Sequence, residues 1–165
     1  MGTPAPWLLL DVAGVPFALP CAAVREILPL PRLHAAPTGG GALAGLLNLG
    51  GVPVPVIDLA RLLGLREGEP DADPYRHVVH LDEDAVALLV DRASDLAHLA
   101  PEAVRPVASG RSFNGCVAGE IALGDRLVHA LVPERILSAD ERARVGAFAR
   151  SAARRLGALP PVPAE

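Results

Sequence analysis

Gly45-Leu46-Leu47-Asn48-Leu49-Gly50-Gly51-Val52-Pro53-Val54-Pro55-Val56-Ile57-Asp58-Leu59 is the stretch on which the fold turns. Its apolar runs, β-branched toward the end, read as a buried strand, a tight turn at Gly50-Gly51 and a second strand ending at Asp58. Pro53 and Pro55 are two apart, so they face the same way, and neither has an N–H to donate. That suits an edge or a bulge, not the middle of a sheet. Asp58 is placed to cap a short helix over residues 59–63, with Gly64 closing it. No nucleophile, metal cluster or phosphate loop lies in the stretch; it offers shape and apolar surface.

The same residues carry a family resemblance. Gly45, Asn48, Leu49, Gly51, Pro55, Val56, Asp58 and Leu59 stand where the signature segment of CheW-type domains, the coupling proteins of bacterial chemosensory arrays, has its characteristic residues. The chain departs at Gly50, where that family usually has arginine. Further segments resemble the family in order: a strand–turn–strand opening followed by Val24-Arg25-Glu26-Ile27, the Val90-Asp91 segment continuing to Leu96, and residues 100–106. The resemblance spans residues 7–137. It implies a mainly β fold: two small five-stranded SH3-like β-barrels packed side by side, with short helices between them. The residues alone show only a mainly β domain in two halves.

Outward from the centre, residues 7–12 and 15–19 read as strands around a turn at Gly14. Pro20 opens a predicted short helix over 21–28, with Val24, Ile27 and Leu28 on one face and Pro29 and Pro31 ending it. Residues 35–42 form a Gly/Pro loop. Residues 66–74, acidic and proline-bearing, read as a solvated linker between the two halves. Runs at 75–81 and 85–90 suggest a hairpin around Asp82-Glu83-Asp84. A loop over 109–114 follows, then a second hairpin over 115–132 around Gly124-Asp125. Pro133 begins a turn of helix. Ser138-Ala139-Asp140-Glu141 is a capping box for a last helix over 138–157. There Val145, Phe148, Ala152 and Leu156 recur at helical spacing, with Arg154 and Arg155 suited to its C-terminal end. Residues 158–165 read as a loose tail, and no repeat of fixed period is visible.

A length of 165 residues suits one domain with a true core. Hydrophobic residues make up 51% and aromatics only 3%, so aliphatic packing must fill that core. Every one of the 15 basic residues is arginine and the net charge is −4, which argues against a broad surface for nucleic acid or acidic membrane. Cys21 and Cys116 read as buried thiols. Residues 7–10 lack a preceding basic region and stop at Asp11, so no signal peptide is read there. The central apolar run is broken by Asn48 and two prolines and makes a poor membrane span. A cytosolic protein is expected, with recruitment to membrane-associated receptor arrays implied by the resemblance.

His77 and His80, three apart in a strand, point to opposite faces, which disfavours a shared metal. Ser94 and Ser112 have no His/Asp partners in pattern, and Asp91 and Asp95 read as turn caps, not an acid–base pair. Gly39-Gly40-Gly41 lacks the Lys-Ser/Thr of a phosphate loop. No catalytic residue, metal or cofactor is expected. For Gly45, Gly50 and Gly51, turn geometry and close approach of a partner backbone are both open readings. Asn48 reads as a loop residue bonding its own backbone. Val24 is core by composition and interface by resemblance.

The resemblance implies partner-binding roles for Val24, Glu26, Gly45, Asn48, Gly50, Gly51 and Pro55, and structural roles for Asp58 and Asp91. The implied partners are the regulatory domain of a CheA-type histidine kinase and the cytoplasmic tip of chemoreceptors. In the family the glutamate at Glu26 can sit near the arginine replaced here by Gly50. Glu26 must therefore pair elsewhere, with Arg25 and Arg61 as candidates, or stand alone. The expected function is a non-catalytic chemotaxis adaptor in signal transduction. The alternatives are a diverged adaptor of a non-motility pathway that binds kinase but not receptor, and a small ligand-binding barrel or enzyme. For the last helix, packing on its own domain and presentation to a partner are both open.

Overall fold

The central stretch folds as a hairpin in the computed structural model, which describes residues 2–34, 41–67, 75–82, 86–107 and 115–158. Gly39, Gly40, the acidic turn at 83–84, most of the 66–74 segment, Ser112, the side chains of Ser94 and Leu156, and residues 159–165 lie outside that description. Strand β4 (Leu43–Leu49) pairs antiparallel with β5 (Val52–Asp58), Leu49 facing Val52 across the two-residue turn. Gly50 and Gly51 have φ of 61° and 91°, the left-handed pair that matches the twist of such a hairpin. Asp58 then accepts a hydrogen bond from the Arg61 amide and caps α1 (Leu59–Leu62).

Before the hairpin lie β1 (Ala5–Val12), β2 (Val15–Pro20) and β3 (Val24–Pro29). After it come β6 (His77–Leu81), β7 (Ala87–Val90), β8 (Arg92–Leu99), β9 (Val104–Pro106), β10 (Val117–Leu123), β11 (Arg126–Leu131) and α2 (Ala139–Ala158). One sheet has five strands in the order β3-β6-β7-β5-β4, the other six in the order β8-β1-β2-β11-β10-β9. The expected mainly β architecture is present. In the five-stranded sheet, His34 bridges Leu46 on β4, drawing the chain that leaves β3 across to the opposite edge.

Alternation along the strands builds three cores among the described residues. Leu8, Leu10 and Val12 of β1 face Ile57, Val79, Leu81 and Leu88 in a core shared by the two sheets. Trp7 and Leu9, one residue out of phase, pack with Ala18, Ile121 and Val128 inside the six-stranded sheet. Leu47, Val54, Val56, Val78 and Leu89 fill the inside of the five-stranded one.

Three expectations are corrected. Residues 21–28 are not a helix: a single 3-10 turn over Cys21–Ala23 leads straight into β3. The register of β3 on β6 slips between Val24 and Glu26, leaving Arg25 as a bulge. That extra residue breaks the period of two and spaces Val24, Ile27 and Leu28 as a helix would. Second, the 66–74 segment does not separate two halves. It joins β5 and α1 to β6, and β5 and β6 belong to one sheet, whereas the six-stranded sheet is assembled from residues 5–20 and 92–131. Third, β5 is an inner strand, although Pro53 and Pro55 precede the residues 56–58 that pair with β7. The missing N–H groups thus fall where β5 overhangs its neighbour.

α2 packs along β5, with Val145 against the shared core and Ala152 buried. Its capping box is formed: the Glu141 amide donates to Ser138 Oγ at 3.2 Å, and the Ser138 amide to Glu141 Oε1 at 2.8 Å.

Candidate functional site

The residues singled out in the sequence fall into four places. Val24 and Glu26 lie on β3, an edge strand, Val24 half-buried against the shared core and Glu26 exposed. Ile27 beside them is 41% exposed, large for an isoleucine. Asn48, Gly50 and Gly51 form the exposed tip of the β4–β5 hairpin. There Asn48 Oδ1 accepts a hydrogen bond from the Gly51 amide at 2.8 Å, the local backbone bond expected of it. Val52, next to this tip, is 61% exposed.

Gly45 and Pro55 are buried and present no surface. A Cβ on Gly45 would stand 2.7 Å from the His34 carbonyl oxygen, so glycine here lets the 34–46 bridge close. Gly50 differs: its positive φ points any side chain into open space.

Asp58 and Asp91 are brought together by an arginine that sequence reasoning missed. Arg76, 4% exposed, places Nη2 3.3 Å from Asp58 Oδ2 and Nε 3.4 Å from Asp91 Oδ1, the latter contact not aligned as a hydrogen bond. Arg66 grips Asp91 with both terminal guanidinium nitrogens, Nη1 on Oδ1 at 3.1 Å and Nη2 on Oδ2 at 2.9 Å. Asp91 Oδ2 also accepts from the Ala13 amide at 2.6 Å, in the β1–β2 turn of the other sheet. Burial pushes the Asp91 carboxyl up. The Arg66 hydrogen bonds, the Ala13 amide and the charges of Arg66 and Arg76 outweigh it and hold the group below the ordinary aspartate range. The network ties the two sheets at their junction. An arginine opening an apolar strand was the available signal.

Glu26 does not meet Arg25, which turns to Asp82 at 3.4 Å. The neighbouring basic group is His80 on β6, its Nδ1 3.7 Å from Glu26 Oε1. The hint in the sequence was a lone histidine inside Val78-Val79-His80-Leu81. His77 is engaged differently, its Nδ1 accepting from the Ala93 amide at 3.0 Å.

An open cleft of about 400 Å³ runs where the sheets meet, lined by Trp7, Pro20, Ala22, Ala23, Leu81 and residues 131–134. A second, of about 290 Å³, separates α2 from Val52, Pro53 and Val86. Burial pushes the Cys116 and Cys21 thiols up, away from the reactive thiolate. Among the described residues no three His, Cys, Asp or Glu groups converge as metal ligands, and no helix is long and apolar enough to cross a membrane.

The chain is similar to the probable chemotaxis protein CheW of Rhizobium etli, 29% identical over 127 residues, covering 76% of this chain and 82% of the relative. It is 27% identical over 150 residues to the chemotaxis protein CheW of Klebsiella aerogenes, covering 88% of this chain and 89% of the relative. The crystal structure of the scaffolding protein TtCheW from Thermoanaerobacter tengcongensis superposes with a TM-score of 0.72 at 17% identity, over 86% of this chain and 92% of that one, a likeness of fold. The model of the CheW-like domain matches residues 6–141, and the chain belongs to that family.

Proposed function

We propose that this protein is a non-catalytic adaptor that couples chemoreceptors to a CheA-type histidine kinase, working in the cytoplasm and recruited to receptor arrays. The observation that carries the reading is the family match over residues 6–141, supported by relatives that are themselves chemotaxis proteins. The exposed β3 edge with Glu26 and Ile27, the β4–β5 tip with Val52, and the cleft at Trp7 supply apolar patches with polar rims, the make-up of a transient interface. Signal transfer requires that the adaptor bind the kinase's active and inactive states unequally, since equal binding shifts neither population. Co-purification with the kinase's regulatory domain, then with a receptor hairpin fragment, tests the assignment. Capture of both supports it, and capture of neither defeats it.

A second reading is favoured by one residue. Gly50 occupies the position of the family's usual arginine, which points to an adaptor that holds the kinase and engages the receptor weakly. Gly50→Arg is expected to strengthen capture of a standard receptor tip, at a cost of about 1 kcal/mol in stability for a side chain at φ 61°. Unchanged capture by a folded variant would count against the role given to this position.

A further inference from the structure

Among the described residues, His80 has a buried ring nitrogen without a hydrogen-bond partner, beside a carboxylate that stops just short of it. The side chain is 8% exposed, and Nδ1 stands 3.7 Å from Glu26 Oε1, beyond hydrogen-bond reach. A buried polar atom left unsatisfied is costly, so its persistence asks for a second state in which it is bonded. That state lies close by. Protonation makes both ring nitrogens donors, and a contraction of about 1 Å gives a charge-assisted bond to the carboxylate.

Among the described residues the neighbourhood leaves Glu26 as the group able to respond. Across β3, Glu26 is the residue in register with His80, while Arg25 is occupied by Asp82. Across β7 the register partner is Ala87, and the described residues of that strand are apolar, as are Val54 and Val56 of β5. On β6 itself, His77 is committed to the Ala93 amide, and Asp82 beyond the strand to Arg25. Glu26 can also move: its side chain is 45% exposed, on an edge strand loosened by the bulge at Arg25.

We propose that Glu26 and His80 form a proton-operated latch on the docking edge. The neutral imidazole leaves the carboxylate outward for a partner; the imidazolium draws it in and weakens docking. The inference rests on the adaptor reading only for what docks there.

Two experiments on the full chain separate the latch from that reading. Crystal structures at about pH 5.5 and about pH 8 should show Nδ1 and the carboxylate within about 2.8 Å in acid and apart in base. An unchanged separation overturns the latch. Binding to a chemoreceptor's cytoplasmic hairpin fragment from the same organism should weaken about tenfold between the higher and lower pH, and His80→Leu should flatten that dependence to within about twofold. Glu26→Gln, an exposed change that leaves the core untouched, should flatten it equally. A pH dependence that survives both substitutions overturns the proposal. If the hairpin binds at neither pH while the contraction is seen, the docking reading falls, and with it the predicted weakening, while the contraction stands.

Discussion

At the scale of single residues, backbone conformation separates positions that look alike in the sequence. Ala13 occupies φ 52° in the β1–β2 turn, a left-handed angle that ordinary side chains resist. It is held there by the Asp91 carboxylate on its amide. Ala13→Gly should raise stability by about 0.5–1 kcal/mol, the steric relief being partly offset by the looser unfolded chain. Urea unfolding with an unchanged slope would register it as a higher midpoint. The three glycines of the signature stretch were legible as turn or contact residues, but not which was which. Gly45 serves the approach of His34, and Gly50 and Gly51 serve the turn. The difference depends on a chain segment eleven residues away that no local pattern announces.

At the scale of elements, hairpins and caps were legible because their signals are local. The Gly50-Gly51 turn, the Asp58 cap and the Ser138–Glu141 box all stand where turn and cap chemistry puts them. Ser138→Ala removes one arm of that box and should cost about 1 kcal/mol. Thermal unfolding would show a lower midpoint, with faster amide exchange in the first turn of α2. β3 was misread because the bulge at Arg25 rewrote its period, a tertiary event that leaves a helix-like imprint on six residues. The Glu26–His80 pair was illegible for the same reason, since helical spacing gave no register on which to place β6 opposite Glu26.

At the scale of the whole molecule, the two sheets are held by a shared aliphatic core and by the Asp58–Arg76–Asp91–Arg66 network. Arg76→Met would leave Asp58, 1% exposed, without its cation, and should destabilise by about 3–5 kcal/mol in chemical denaturation. Asp91 adds a pH dependence. Its carboxyl is held below its unfolded value, so its contribution is full above about pH 4 and is lost as pH falls through the lowered native value. Asp91→Asn should therefore be less stable than the parent near neutrality, and the gap should close in acid. The sequence suggested two successive halves because the segment at 66–74 looks like a linker, whereas sheet membership is decided by pairings that local patterns do not reveal. β2 lies parallel to β11, with Phe17 beside His129. During synthesis the five-stranded sheet, contained within residues 24–90, can assemble as soon as it leaves the ribosome. The face of the opening β1–β2 ribbon that carries Trp7, Leu9 and Ala18 must wait for Ile121 and Val128, more than a hundred residues further on, which makes the nascent chain's first hairpin its natural point of chaperone dependence.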